Sequence, residues 1–105
     1  MALTIEYYCK DMLTSTIRVD FGRHKINAVN HTDNLLHTAF GRQAQPSWDS
    51  FERFLQSRCF PKERKDCKYL LSQLGLMEYD PLAICEKTNG RMDGDFFSMR
   101  FIWDA

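Results

Sequence analysis

Apolar and polar residues alternate at both ends of this chain, while the middle keeps a different rhythm. In "LTIEYYC", Leu3, Ile5, Tyr7 and Cys9 fall on one side and Thr4, Glu6 and Tyr8 on the other. The tail "FFSMRFIW" repeats the pattern with Phe97, Met99, Phe101 and Trp103. Period two is the signature of a half-buried strand. Strands at opposite ends of a 105-residue chain constrain the fold strongly. The last strand is expected to return to the sheet begun by the first, with the helical segments between them packed against it.

Near the N-terminus, Ile17, Val19 and Phe21 alternate with Arg18 and Asp20. Gly22 then supplies a turn, and "KINAVN" reads as a shorter strand. These segments predict an antiparallel meander of three strands. The rhythm then becomes helical. Thr32 or Asp33 caps a short helix carrying Leu35, Leu36 and Phe40, with Gly41 as its stop. Ser47 caps a stronger one, with Asp49 and Glu52 in its first turn and Trp48, Phe51, Phe54 and Leu55 at helical spacing. Pro61 suits the first turn of a helix over 61–74, whose stripe is Cys67, Leu70, Leu71 and Leu74, and Gly75 ends it. Asp80 and Pro81 open a last helix, which Asn89 or Gly90 terminates. The expected fold is α+β. A small antiparallel sheet, the N-terminal meander plus the C-terminal strand, packs against three to four helices in a single domain spanning 1–105.

Composition supports a packed core, with 44% hydrophobic and 27% charged residues. Fourteen basic residues balance fourteen acidic ones, which argues against a strongly basic nucleic-acid binder and against an acidic mimic of DNA. The balance is uneven along the chain. Arg58, Lys62, Arg64, Lys65 and Lys68 crowd one segment, with Glu63 and Asp66 between them, whereas the C-terminal third is acidic apart from Lys87, Arg91 and Arg100. The basic run reads as a solvated face, or as one that meets phosphates or an acidic protein surface. Tyr7, Tyr8, Trp48 and Trp103 are aromatic candidates for partner anchors or for core.

No glycine-rich phosphate loop, nucleophile elbow or HExxH motif is present, so the sequence points away from an enzyme. Asp93 and Asp95 flank Gly94, as acidic loop residues often do. Zinc would need ligands brought together from afar, with Cys59, Cys67, Cys9 and His24 as candidates. Cys59 and Cys67 are spaced more widely than structural zinc pairs usually are. The expectation is no cofactor. The first residues are too polar for an export signal, and no apolar run approaches membrane-spanning length. A cytoplasmic protein with reduced thiols follows as the expectation, as a monomer or small homo-oligomer with no membrane partner.

Three blocks carry a resemblance: "VNHTDNLLHTAFG", "PSWDSFERFLQSRCFPKERKDCKYLLSQLGL" and "YDPLAICEKTNGRMDGDFF". Over residues 15–102 the chain resembles a group of short proteins of gut Firmicutes and their mobile elements. The run "ESRCFPRTR" typical of that group corresponds to Gln56–Arg64, with Lys62 and Glu63 as departures. Its ending "KTxGRMxEDxxW" is matched by Lys87, Thr88, Gly90, Arg91, Met92 and Asp95, while Gly94 replaces an acid and the Trp position is not Trp. The run from Arg58 to Leu76 also looks faintly like an accessory segment of kinase-toxin-like proteins. The resemblance implies an interaction module rather than an enzyme. Its specific form would be a phage or mobile-element inhibitor, an anti-CRISPR protein that binds a type II effector nuclease and blocks DNA loading or cleavage. The contact residues expected are Arg58, Lys62, Arg64, Lys65 and Lys68, then Arg91. A nucleic-acid-binding accessory protein using the same helix is the first alternative, and a zinc-containing interaction module the second.

Overall fold

A computed structural model describes residues 2–104. The chain runs β1 (Ala2–Cys9), β2 (Met12–Asp20), β3 (Lys25–Asn30), a 3-10 turn (Leu35–His37), α1 (Trp48–Ser57), α2 (Cys67–Gln73), α3 (Pro81–Thr88) and β4 (Phe97–Trp103). The four strands form one antiparallel sheet in the order β3-β2-β1-β4. The C-terminal strand does return, pairing with β1 so that Ile5 faces Phe101 and Tyr7 faces Met99. The fold is the expected small α+β architecture.

Alternation decides which face is covered. Leu3, Ile5, Ile17 and Val19 have no exposed surface, and Tyr7, Ile26 and Met99 join them beneath Phe51, Leu55, Ile84 and Cys85 of the helices. Fully burying each such aliphatic side chain contributes about 1.5–3 kcal/mol. The other face is mostly polar, with Val29 and Ile102 exposed on it. There Arg18 donates to Thr4 and forms a bidentate pair with Asp104, and Arg100 lies 3.8 Å from Glu6. Alternation would fail in β2 without a bulge. Tyr7 faces Ser15 and Tyr8 faces Leu13, so Thr14 is the extra residue. Its Oγ1 donates to the Tyr7 carbonyl at 3.0 Å, which satisfies a hydroxyl that is wholly buried.

The helix ends follow local chemistry. The Ser47 Oγ accepts from the Ser50 amide at 3.0 Å and caps α1. Asp80 caps α3, Pro81 fills its first turn, and Asn89 closes it in the left-handed conformation at φ 57°. The early segment yields only the short 3-10 turn, capped by Asn34 rather than Thr32 or Asp33, with Leu36 exposed.

The helix expected over 61–74 needs correction. Residues 61–66 form successive turns, and α2 begins at Cys67. "KERKD" offers no apolar side chain to bury, and every residue from Pro61 to Asp66 is exposed. A polar stretch without a packed face has little to hold it helical. Asp66, at the N-cap, makes no capping bond, and the Arg64 guanidinium lies 2.7 Å from its carboxylate.

Candidate functional site

Arg58 ends α1 and turns inward; only 7% of its surface is exposed. Its Nε and Nη2 donate to the Gly90 carbonyl at 3.0 and 2.8 Å. Its Nη1 and Nη2 donate to the two Asp95 oxygens at 2.8 and 3.1 Å. The guanidinium also lies over the Phe97 ring, 5.5 Å from its centroid, and that ring stacks on Tyr7. The sequence expectation that Arg58 is a surface contact residue is therefore overturned. Its donors are spent on the protein's own backbone and carboxylate.

The electrostatics match this geometry. Burial, the largest influence, works against the Arg58 charge, but the hydrogen-bonded Asp95 together with Tyr7 and Cys85 offsets it, and the net pKa is raised. Asp95 is held below the usual carboxylate range, first by its hydrogen bonds from Arg58 and also by the Phe97 amide. Burial pushes the Tyr7 hydroxyl up to about 12, with Arg58 opposing.

Arg58 joins two segments far apart in the sequence. "SRCFP" supplies the guanidinium, and "KTNGRMDGD" wraps around it. The wrap depends on backbone that only certain residues tolerate. Gly90 has φ +63°, and a Cβ there would sit 2.6 Å from the Met99 Cγ. The Asn89 carbonyl accepts from the Met99 amide at 2.7 Å, so the loop is also tied to β4.

Between the two segments lies a cleft of about 300 Å³. Phe60, Leu70, Ile84 and Met92 give it apolar walls, and Arg64, Arg91 and Asp93 add charge. Arg64 and Arg91 are thus brought to one cleft from segments 27 residues apart in numbering. Lys62, Lys65 and Lys68 are exposed, and among the described residues none of them is in an ion pair. Lys62 and Lys65 lie in the turns, and only Lys68 lies on α2.

The candidate zinc ligands are not brought together. Cys59 is buried beside Cys85, Cys9 ends β1, Cys67 begins α2, and His24 stacks on Trp48 at 4.4 Å. Among the described residues, no three His, Cys, Asp or Glu side chains are grouped to hold an ion. Asp93 and Asp95, which flank Gly94, have separate roles, Asp95 serving Arg58 while Asp93 lines the cleft. Of the aromatic anchors, Tyr7 is core, and Trp103 is half-exposed with its indole N–H donating to Glu86 at 2.6 Å.

Sequence reasoning missed Asp95 as the partner of Arg58. An acidic residue close before a strand and an arginine closing a helix carry no local sign of each other. Among the described residues, no helix is long and apolar enough to cross a membrane. No protein-family model, curated protein or solved structure matches the chain.

Proposed function

We propose that this protein is a binding module that docks on an acidic surface of a larger protein through Lys62, Arg64, Lys65, Lys68 and Arg91. The observation that carries the reading is the convergence of Arg64 and Arg91 on one apolar-walled cleft, with three lysines on and beside the segment that forms it that make no ion pair among the described residues. Apolar walls give a partner side chain area to bury, and the cations favour carboxylates or phosphates around it. Arg58 acts in this reading as a positioning residue, since it holds the 90–95 loop against the end of α1.

The sequence resemblance supplies the specific form: an anti-CRISPR inhibitor that occupies a type II effector nuclease and blocks DNA loading or cleavage. The test is a cleavage assay with purified guide-loaded nuclease, with and without this protein. Inhibition that disappears in Lys65→Glu/Lys68→Glu supports the proposal. Full cleavage at saturating protein removes the nuclease as the partner. A mobility shift with DNA alone that weakens steeply with salt would replace the protein partner with nucleic acid.

A further inference from the structure

Two of the four cysteines meet inside the protein. Cys59 follows Arg58 at the exit of α1, and Cys85 lies in the middle of α3; their sulfurs are 3.7 Å apart. Cys85 has no exposed surface, and Cys59 is 6% exposed at the wall of the cleft. Both sulfurs lie within hydrogen-bond reach of the Leu55 carbonyl, at 3.2 Å from Cys59 and 3.4 Å from Cys85, and Cys59 also lies 3.5 Å from the Pro81 carbonyl. Simple core filling by cysteine requires no such pairing.

We propose that Cys59 and Cys85 are a redox site that closes to a disulfide when the protein meets a hydroperoxide. Cys59 is the attacking sulfur because it is the one that reaches the cleft. The hydrogen bond from Cys85 lowers its pKa, while that bond and burial raise the pKa of Cys85. As its proton leaves, the Cys59 sulfur attacks one oxygen of hydrogen peroxide. The O–O bond breaks, and the departing hydroxide takes that proton to become water, leaving a Cys59 sulfenic acid. The Cys85 sulfur then attacks Cys59, the S–S bond forms and the S–O bond breaks. The second hydroxide leaves as water with the Cys85 proton. Two thiols are oxidised, and one peroxide is reduced to two waters.

The bond would join residues 26 apart in sequence. The loop it closes contains the basic turns and all of α2, so oxidation restrains the segment that the proposed partner contact uses. Formation of the disulfide does not itself depend on that contact.

The test uses Cys9→Ser/Cys67→Ser, which leaves only this pair. Peroxide treatment of the folded protein should remove two hydrogens from its mass and abolish alkylation by iodoacetamide after unfolding. Peptide mapping should join Cys59 to Cys85, and dithiothreitol should reverse the change. The oxidised form should melt roughly 10 °C or more above the reduced one. Adding Cys85→Ser should leave a single oxygen on Cys59, captured by dimedone. Two thiols still alkylated, oxygen added to both sulfurs, or a disulfide between two chains would each overturn the proposal. If the double variant fails to fold, the same mapping applies to the wild-type chain, where a mixture of pairings would overturn it.

Discussion

At the residue scale, Arg58 is the side chain on which the rest of the candidate site leans. Removing one partner of a buried, hydrogen-bonded pair leaves the other uncompensated. Arg58→Ala should cost about 3 kcal/mol, since it strands the Gly90 carbonyl as well as Asp95. Asp95→Asn should cost less, about 1–2 kcal/mol, because the Asp95 side chain is 32% exposed and water shares the load. Urea denaturation at neutral pH reads both. The pH dependence has a definite sign. Asp95 has a depressed pKa in the folded protein, so its contribution is present above the ordinary carboxylate value of about 3.9 and is lost as pH falls through the folded value. The stability of wild type should therefore drop more steeply below about pH 4 than that of Asp95→Asn. Parallel acid limbs for the two proteins would show that Asp95 is not held by Arg58 in solution. Gly90→Ala tests the loop that Arg58 grips. It combines left-handed strain of about 1–2 kcal/mol with a forced shift of Met99, so a loss of about 2 kcal/mol or more is expected by thermal denaturation.

At the element scale, legibility followed periodicity. The strands could be read because one sheet face is buried and the other mostly polar, so Leu3, Ile5, Ile17 and Val19 had to fall at every second position. Helix α3 could be read because Asp80 and Pro81 are local signals that owe nothing to distant residues. The start of α2 could not, because Pro61 is equally at home opening a turn, and no burial extends the stripe back from Cys67. Arg58–Asp95 lay beyond local signals altogether: the two residues are 37 apart and meet only in the tertiary fold. The same contrast predicts uneven stability. Helix α2 has seven residues, no side-chain cap and only Leu71 buried, whereas β1 is hydrogen-bonded to strands on both sides. Native-state hydrogen exchange should show the α2 amides opening locally at low free energy, while those of Leu3–Tyr7 exchange only near global unfolding. Equal protection in the two elements would contradict the loose attachment of α2.

At the scale of the whole molecule, Arg58 and the lysines that follow it in sequence play separate parts. Arg58 is internal and structural, while Lys62, Lys65 and Lys68 stand in solvent with no ion pair among the described residues. Charge balance across the chain hides this division, because fourteen positive and fourteen negative residues cancel in any sum. Stability and binding should therefore separate by mutation. The triple variant Lys62→Glu/Lys65→Glu/Lys68→Glu changes only exposed side chains, each worth within about 0.5 kcal/mol of stability. Its midpoint in urea should stay close to that of wild type, while its affinity for an acidic partner falls and added salt weakens the remaining binding less than it weakens that of wild type. A large drop in the midpoint would instead mean that these lysines hold the 61–66 turns in place. An unchanged midpoint with unchanged affinity would move the contact away from this face.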